Sequence, residues 1–391
     1  MSRMVVNSAL TPIDLDPKWS TQSAKLCNDM NAPDIVQITE QSVVAQVKKY
    51  VVGSWPVIKD PDNFPGPQPI SLERKDITKL MKYSYAVCEK TDGMRYLLVS
   101  LIIRIPGAPQ IYHCTFLVDR SFRVYYPGPG LWSCISVFQG TILDGEVVRE
   151  RTTGSYTYYP HDCVMRSGID CAKENFRQRY EHSCEVSVLW RKEDPTREIR
   201  GILDVRFKVI YNLQNLEQLM RRGTEHEVDG LVFTPIGLGV QTGTQHSLIK
   251  WKEPTKHTFD IEVEVKGQRI EMYLYDNMSY TKFKTLSKRT PAGKLFASQL
   301  ENLIAESKLA SLSIDDKGTG GKAQKKHIVE CVLENKEYMP IKLRNDKNRP
   351  NSIRTIEKTL LNIEENITLE ELLQTVTQLN PPNMKHRFAI V

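Results

Sequence analysis

The sequence predicts an α+β protein built mainly on antiparallel sheet, followed by a smaller barrel of short strands. From Ile70 to Trp251, short β-prone runs such as TILDGEVV and DGLVFTPIG alternate with helical runs such as LEQLMRR, which is the pattern of an α+β domain. After Trp251, the runs HTFDIEVEVKGQ, RIEMYLYD and HIVECVLENKEYMPIKLR have the alternation of strands separated by turns. Strands of this length and spacing are typical of a small barrel.

The length of the chain and the changes in pattern along it predict its domain organisation. A chain of 391 residues can bury one large core or two moderate ones, so two domains are expected. This interpretation divides the sequence into an N-terminal extension (1–58), a main domain (59–254), the barrel (255–350) and a C-terminal region (351–391). In the last region, apolar residues at helical spacing predict two short helices that pack back on the body.

Composition excludes some classes of protein and leaves others open. The formal charge of +6, from 53 basic and 47 acidic residues, suits a phosphate-bearing partner without identifying one. The eight cysteines contain no C-x-x-C pair, which argues against a zinc site and a disulfide framework. No apolar run approaches the ~18–20 residues that span a bilayer, and the N-terminal segment lacks a signal-peptide apolar region. An intracellular protein with no membrane segment is therefore expected.

The run EKTDGMR, from Glu89 to Arg95, contains a candidate nucleophile. β-prone residues flank it on both sides, so Lys90 is predicted on a short turn between two strands, close to Asp92 and Gly93. A lysine amine is a poor nucleophile while protonated, and nearby cations or partial burial favour its neutral form. The alternative for this run alone is a surface turn with a solvated lysine.

Two acidic motifs follow along the chain. In LDGEVV, Asp144 and Glu146 are predicted on the same face of a strand, with Gly145 between them. Carboxylates there can bind a sugar hydroxyl or a metal, although an exposed strand face is the alternative. In HEVDGLVFTP, Glu227 and Asp229 precede an apolar run, and hard oxygen ligands of this kind suit Mg²⁺ beside phosphates.

Two basic motifs complete the series. In LIKWKEP, Lys250 and Lys252 are predicted on one face of a strand and Trp251 on the other. Two ammonium groups on one face form a cradle for an α-phosphate and favour the neutral form of a neighbouring lysine amine. The run LRNDKNRPN, from Leu343 to Asn351, adds a dense charged cluster at the end of the barrel.

This ordered series resembles the mRNA capping guanylyltransferases, members of the covalent nucleotidyltransferase superfamily that also contains ATP-dependent DNA and RNA ligases. The resemblance extends from about Phe64 to about Asn351 and rests on FPGPQPISLER, EKTDGMR, FLVDRSFRVY, LDGEVV, EVDGLVF, IKWK and RNDKNRPN. The lysine motif is shared with ligases. The PGPQPISL segment and the RNDKNRPN ending are more particular to capping enzymes.

The resemblance implies a ligase-like nucleotidyltransferase domain, a C-terminal OB-fold domain and a two-step reaction. Lys90 would attack GTP with Mg²⁺ or Mn²⁺ present, release pyrophosphate and form a lysyl-N-GMP adduct. GMP would then pass to the 5′-diphosphate end of an RNA, giving a GpppN cap. Implied partners are a separate RNA triphosphatase, a cap methyltransferase and the phosphorylated C-terminal tail of RNA polymerase II. The implied location is the nucleus, or the cytoplasm for a chain from a cytoplasmic virus.

The same resemblance assigns roles to individual side chains. Glu227 or Asp229 would position the metal. Lys208, predicted on the strand VRFKVIY with its side chain free to face inward, would read guanine, because a lysine can only donate and guanine presents an O6 acceptor where adenine presents a donor. Without the resemblance, a solvated lysine on a strand is the alternative. The residues assigned to GTP are Arg95, Arg120, Asp144, Gly145, Glu146, Lys208, Lys250, Trp251, Lys252, Arg344, Asp346 and Lys347.

One motif departs from the family pattern. In YYPHDCVMRSG, His161 precedes Asp162 where family members usually place Phe or Tyr, so stacking on the guanine would fall to His161 or to a neighbouring tyrosine. Two other functions remain open at this point. They are an ATP-dependent polynucleotide ligase and a non-catalytic module of the same fold that binds RNA ends or a polymerase tail.

Overall fold

A computed structural model describes residues 18–29, 31–55, 61–105, 107, 109–128, 135–190, 202–276, 278–311, 326–344 and 347–379. The strands within these ranges are, in chain order, β1 (Thr21–Lys25), β2 (Asp34–Ile38), β3 (Gln68–Ser71), β4 (Tyr85–Thr91), β5 (Met94–Arg104), β6 (Ile111–Val118), β7 (Val124–Tyr126), β8 (Thr141–Arg149), β9 (Tyr156–Arg166), β10 (Ile169–Asp170), β11 (Leu203–Val205), β12 (Tyr211–Asn212), β13 (Val228–Pro235), β14 (Thr244–Lys252), β15 (Phe259–Lys266), β16 (Arg269–Asp276), β17 (Ser279–Ser287), β18 (His327–Glu334) and β19 (Glu337–Leu343).

Helices are fewer than strands in the described part of the chain. The α-helices are α1 (Gln41–Gly53), α2 (Ile77–Lys82), α3 (Phe176–Ser187), α4 (Leu216–Arg222), α5 (Pro291–Ser311), α6 (Ile353–Glu365) and α7 (Leu369–Leu379). Short 3₁₀ helices cover Leu26–Asn28, Arg74–Asp76, Ile135–Gln139, Leu213–Asn215 and Pro254–Lys256. None of the described helices is long and apolar enough to cross a bilayer.

The chain divides into two compact units, Met1–Trp251 with Glu370–Val391, and Lys252–Leu369. The predicted boundary between residues 254 and 255 lies close to this division. The described part of the predicted N-terminal extension is not separate, because Trp19, Val47 and Trp55 belong to a core cluster of the first unit. The two C-terminal helices also differ from each other, since α6 lies in the second unit and most of α7 in the first.

The first unit contains two sheets, and the larger one carries most of the core. Its strand order is β1-β2-β7-β6-β5-β8-β9-β10, with β11 paired in parallel to β9. Strand β5 is buried on both faces: Leu97 and Val99 join one apolar cluster, while Tyr96 and Leu98 join another. This follows from the alternation of side chains along a strand, and it explains why the sequence MRYLLVSLIIR is almost continuously apolar.

The smaller sheet of the first unit has the strand order β12-β4-β13-β14-β3. Strand β4 lies in this sheet and β5 in the larger one, so the turn at Asp92–Gly93 carries the chain from one sheet to the other. The turn is tight, because a Cβ on Gly93 would lie 2.6 Å from the carbonyl oxygen of Val147. The motif EKTDGMR therefore occupies the junction of the two sheets.

The second unit is a five-stranded antiparallel sheet in the order β17-β16-β15-β18-β19, and α5 connects β17 to β18. Its core includes Phe259, Met272, Phe296 and Cys331. Helix α6 adds Ile356 to this core. The strand order and the position of α5 are consistent with the predicted OB-fold barrel.

Candidate active site

A cavity of about 330 Å³ opens between residues of the two sheets of the first unit, within the size range of small-ligand pockets. The smaller sheet contributes Lys90 and Lys250 to its lining, and the larger sheet contributes Arg95 and Glu146. The other residues of the lining that bear on the site are Thr91, Asp92, Arg120, His161, Asp162, Phe176, Arg179 and Lys208. The cavity therefore combines charged side chains of both signs with apolar ones.

The sequence predicts Lys90 on the turn. In the structure it lies on β4 instead, one residue before the end of that strand. The ladder with β13 continues past it, since Lys90 is the register partner of Gly230. Its Nζ lies 2.6 Å from Oδ1 of Asp229, and only 26% of its side chain is exposed. Lys90 is thus held in the cavity by an ion pair, and the solvated-turn alternative does not describe it.

A β-bulge separates the two acids that the sequence pairs. Val228 faces Thr91 and Gly230 faces Lys90, so Asp229 is the additional residue of β13 at a register shift. Bulges next to sites redirect a side chain, and here the redirected carboxylate contacts Lys90. Glu227 precedes the strand, and its exposed carboxylate pairs with Arg151 at 2.5 Å. Neither acid is part of the cavity lining, but Asp229 contacts Lys90, which is, whereas Glu227 does not.

Arg95 and Asp144 form a buried ion pair in the wall of the cavity. Nε and Nη2 of Arg95 donate to the two carboxylate oxygens at 2.8 and 2.5 Å, and Nη1 donates to the carbonyl of Pro67 at 2.8 Å. Burial alone would raise the pKa of Asp144, but Arg95 and then His161 hold this pKa well below its usual range. Asp144 is therefore a carboxylate that fixes Arg95.

The pairing restricts what Arg95 can do for a ligand. All three of its nitrogens already donate within the protein, so its predicted role in holding ribose would require contacts beyond these. Glu146 is better placed for that role, because it is half-buried, lines the cavity and accepts a hydrogen bond from the Thr91 hydroxyl.

Lys208 also forms a hydrogen bond with Thr91. It is only 5% exposed, and its Nζ donates to Oγ1 of Thr91 at 3.1 Å. Contrary to the sequence interpretation, it lies in the irregular residues 206–210 between β11 and β12, not on a strand. Its backbone is fixed instead by Tyr180, whose hydroxyl donates to the Lys208 carbonyl at 2.8 Å.

Strand β14 has the facial alternation that the sequence predicts. Lys250 and Lys252 are half-buried, whereas Trp251 is only 6% exposed. Lys250 lines the cavity and is the register partner of Ser71 on β3. Trp251, which the resemblance assigns to GTP, faces the other side of the strand and is absent from the cavity lining.

Arg120 lies in the turn between β6 and β7, where it is exposed and lines the cavity. The preceding Asp119 fixes that turn, because its Oδ1 accepts hydrogen bonds from the backbone of Ser121 and of Arg123, each at 2.9 Å. The run FLVDRSFRVY thus forms an antiparallel hairpin of β6 and β7.

Of the aromatic candidates for base stacking, His161 is the one that lines the cavity. Its Nε2 lies 3.5 Å from Asp144, and 29% of its side chain is exposed. Tyr158 is fully buried with its hydroxyl donating to the Leu143 carbonyl, and the Tyr159 hydroxyl donates to Glu150. Neither tyrosine is part of the lining.

The charged cluster after β19 lies in the second unit. Nη1 of Arg344 pairs with Oδ1 of Asp260 at 3.0 Å, and Lys347 pairs with the other oxygen of the same carboxylate. Asp346 lies outside the described residues. Within this unit, therefore, Asp260 organises two of the three predicted phosphate-binding residues.

Two features of the cavity were missed by sequence reasoning. Thr91, which links Lys208 to Glu146, is part of EKTDGMR but carries no charge to attract notice. Arg179 on α3 pairs with Asp162 at 2.7 Å and lines the cavity. Because its partner lies on β9, no local spacing in the sequence signals that pair.

Gly145 has a packing role that yields a prediction. A Cβ at this position would lie 2.6 Å from the carbonyl oxygen of Tyr159 and 2.7 Å from Cα of Pro160. Gly145→Ala should therefore force β8 away from β9 and lower the free energy of unfolding by about 1–3 kcal/mol. Urea unfolding followed by circular dichroism measures this.

The matched control is Gly53→Ala at the end of α1, where nothing lies within 4 Å of the added Cβ. That variant should keep the stability of the parent chain or gain slightly, since alanine is the better helix residue. Equal urea midpoints for the two variants would contradict the packing argument.

An acid-paired lysine in a cavity with further cationic side chains is the arrangement expected of an enzyme that forms a covalent lysine intermediate. The chain belongs to the mRNA capping enzyme family. The family model "mRNA capping enzyme, catalytic domain" matches residues 27–254, and "mRNA capping enzyme, C-terminal domain" matches residues 244–373. These matches confirm the resemblance, the nucleotidyltransferase class and the predicted fold class with its separate C-terminal domain.

Individual relatives agree with the family match. The chain is 26% identical to the mRNA-capping enzyme subunit alpha of Schizosaccharomyces pombe over 344 residues, covering 80% of each chain. It is also 26% identical to the Neurospora crassa protein of the same name over 357 residues, covering 81% and 85%.

Among solved structures, a mycobacterial DNA ligase D complexed with ATP and MES matches with 13% identity and a TM-score of 0.38, covering 73% of this chain and 96% of the ligase. That TM-score is too low to support an inference.

Proposed function

We propose that this chain is an mRNA guanylyltransferase that transfers GMP from GTP, by way of Lys90, to the 5′-diphosphate end of RNA. The family supports the reaction, and one observation supports the residue. The Lys90 amine lies 2.6 Å from Asp229 inside a cavity that Lys208 and Lys250 also line.

In the first step the Lys90 amine attacks the α-phosphorus of GTP. The Lys90 ammonium gives up one proton to solvent before the attack and a second as the P–N bond forms, the P–O bond to pyrophosphate breaks, and a lysyl-N-GMP adduct remains. Asp229 holds the Lys90 amine in the cavity before the reaction. The positive charges of Lys250 and Lys252 neutralise the negative charge of the transferred phosphate. Catalysis of this type depends mainly on positioning and charge neutralisation.

Other residues of the cavity lining suit the nucleoside. Lys208 is buried and aimed inward, which supports a donor to guanine O6. Glu146 is the proposed ribose contact and His161 the proposed stacking surface, while Arg120 seats the nucleotide. Arg95, Asp144 and Gly145 maintain the wall behind them.

A divalent cation fits the donors near Lys90. Mg²⁺ and Mn²⁺ prefer oxygen ligands, and Mg²⁺ is usually held by one or two carboxylates together with substrate phosphates. Asp229 supplies such a carboxylate beside the nucleophile. Of the two acids that the sequence suggests, we propose Asp229 as the one that would hold the ion. When bound, the ion would neutralise phosphate charge.

Arg344, Asp346 and Lys347 are proposed to orient the β- and γ-phosphates of GTP, a role that rests on the resemblance. Those two phosphates leave as pyrophosphate, so the role ends after the first step. Lys347→Ala should therefore form the adduct from GTP much more slowly than the parent chain, but should keep the rate of GMP transfer from the adduct that accumulates during long incubation. Transfer is measured as capped RNA formed from the isolated adduct.

Lys342→Ala, which removes an exposed lysine of β19, is the control for loss of positive charge and should keep both steps. Equal loss of both steps in Lys347→Ala would contradict a role confined to the leaving phosphates.

The proposed setting follows from the reaction. The acceptor is a 5′-diphosphate RNA, so a separate RNA triphosphatase prepares it and a cap methyltransferase acts afterwards. The Schizosaccharomyces pombe relative is called a subunit alpha, which supports division of the work among chains. A nuclear location and docking to the phosphorylated tail of RNA polymerase II complete the proposal.

Labelling of the protein tests this function against its alternatives. The full chain is incubated with a divalent ion and either α-labelled GTP or α-labelled ATP, then denatured and examined for label on protein. The guanylyltransferase gives label from GTP alone. Label from ATP alone would indicate a polynucleotide ligase, and no label from either nucleotide would indicate a binding module.

A further inference from the structure

A second group of side chains, none of which lines the GTP cavity, has the composition of a metal site. The Sγ atom of Cys171, a carboxylate oxygen of Glu174 and a ring nitrogen of His182 lie within 4.8 Å of one another. Cys163 is within hydrogen-bonding reach of Cys171. Thiolate, imidazole and carboxylate together are the ligand types of zinc-like divalent ions.

The fold assembles this group from three elements. Cys163 lies on β9, and Cys171 returns beside it after β10, with its N–H donating to the Val164 carbonyl at 3.0 Å. Glu174 follows in a turn, where its N–H donates to the Cys171 carbonyl at 3.0 Å. His182 projects from α3. Because the ligands come from a hairpin, a turn and a helix, no C-x-x-C spacing signals them.

The environment of Glu174 points to a missing ligand. Its Oε2 atom is buried without a well-formed hydrogen bond, and it lies 2.8 Å from Nε2 of His182, which forms an ion pair with it when the imidazole is protonated. A buried carboxylate oxygen without a donor is costly. When the imidazole is neutral, a cation ligated by both atoms would satisfy this oxygen.

We propose that Cys171, Glu174 and His182 bind one Zn²⁺-class ion, with a water as the fourth ligand. Cys163 lies beside Cys171 but outside this set of three. The Cys171 thiol gives up its proton to solvent when it ligates, so binding releases a proton and strengthens as pH rises.

Binding requires a local change at His182. Nη1 of Arg166 lies 2.8 Å from Nδ1 of this imidazole and also 2.8 Å from Oε2 of Glu185. When Nε2 ligates a metal, Nδ1 carries the proton and needs an acceptor. Glu185 lies 3.8 Å from Nδ1 and can accept it, while Arg166 keeps its contact with Glu185. A carboxylate behind a ligating histidine is the usual support of such sites.

The location of the site gives the ion a structural purpose. It would join the β9–β10 hairpin to α3, and these elements carry two residues of the cavity wall. Nη1 of Arg179 donates to the Glu174 carbonyl at 2.6 Å, and the Cys163 N–H donates to Oδ1 of Asp162 at 2.8 Å. The ion would therefore stiffen the wall that contains the Asp162–Arg179 pair, whatever reaction the cavity supports.

Metal content and cobalt spectroscopy of the full chain test the site. Protein purified without chelator should contain about one zinc ion per chain, and the metal-free protein should bind one equivalent of added Co²⁺. Bound cobalt should show tetrahedral d–d bands and sulfur-to-cobalt charge-transfer absorption. Cys171→Ser and His182→Gln should lose the stoichiometric metal and the charge-transfer bands.

The matched control is Cys184→Ser, which removes a half-buried cysteine of the same helix outside the group. It should bind metal as the parent chain does. If the unmodified chain binds neither Zn²⁺ nor Co²⁺, the proposal is overturned by that result alone. The side chains would then form ion pairs with one another and no metal site. Unchanged metal binding in folded Cys171→Ser also overturns the proposal. If the protein is still labelled by GTP when the metal proposal fails, the proposed function stands.

Discussion

Lys90→Arg reduces GMP labelling of the protein to background while the fold is retained. Arginine keeps the positive charge and can still pair with Asp229, which lies 2.6 Å from the Lys90 amine. Its guanidinium is not deprotonated in proteins, so it cannot provide the neutral nitrogen that forms the P–N bond. Gel analysis of the chain incubated with α-labelled GTP measures the loss.

The control for this variant is Lys82→Arg, an exposed lysine at the end of α2 that is absent from the cavity lining. It should be labelled like the parent chain. Circular dichroism and thermal unfolding establish that Lys90→Arg is folded. Label that persists in folded Lys90→Arg would show that the nucleophile is a different residue.

Asp144→Asn has the largest expected effect on stability. The substitution leaves the Arg95 guanidinium, which is only 9% exposed, without a compensating charge. Breaking a buried ion pair by removing one partner typically costs about 3–5 kcal/mol. The free energy of unfolding of the chain should fall by this amount at neutral pH, as measured by urea unfolding. Labelling by GTP should fall as well, because Arg95 and Asp144 form part of the cavity wall.

A surface ion pair provides the comparison for Asp144→Asn. Asp62 pairs with Lys48, but 81% of its side chain is exposed, and such pairs contribute about 0–1 kcal/mol. Asp62→Asn should therefore leave the urea midpoint almost unchanged. Similar midpoints for Asp144→Asn and Asp62→Asn would refute the claim that the buried pair stabilises the wall.

Acid provides a further check on the same pair. The pKa of Asp144 is lowered in the folded chain by Arg95 and His161 against the effect of burial, and an unfolded aspartate titrates at about 3.9. A lowered pKa stabilises the fold above the unfolded value and loses that stabilisation as pH falls. The difference in unfolding free energy between the parent chain and Asp144→Asn should thus be largest at neutral pH and should become smaller below about pH 4.

Sequence reasoning reached the parts of the site that depend on local pattern. The alternation in LIKWK predicts that Lys250 and Lys252 share a face and that Trp251 does not, and β14 has this arrangement. The order of the motifs predicts the family, since each motif is a short run whose chemistry is contained in its own residues.

Other parts of the site depend on contacts that no local pattern encodes. The bulge that turns Asp229 toward Lys90 arises from a register shift between β13 and β4, so alternation alone wrongly keeps Glu227 and Asp229 together. The group of Cys171, Glu174 and His182 needs the β9–β10 hairpin and α3 in place. In both cases the partners are distant in sequence, and only the folded chain brings them together.

The most direct test of the account is to identify the atom that carries GMP. The full chain is labelled with GTP, digested, and its peptides are analysed by mass spectrometry. The account predicts GMP on Lys90 through a phosphoramidate, which persists in neutral water and is released in acid as the amine becomes protonated. GMP on any other side chain, or an adduct whose lability is not that of a P–N bond, would contradict it.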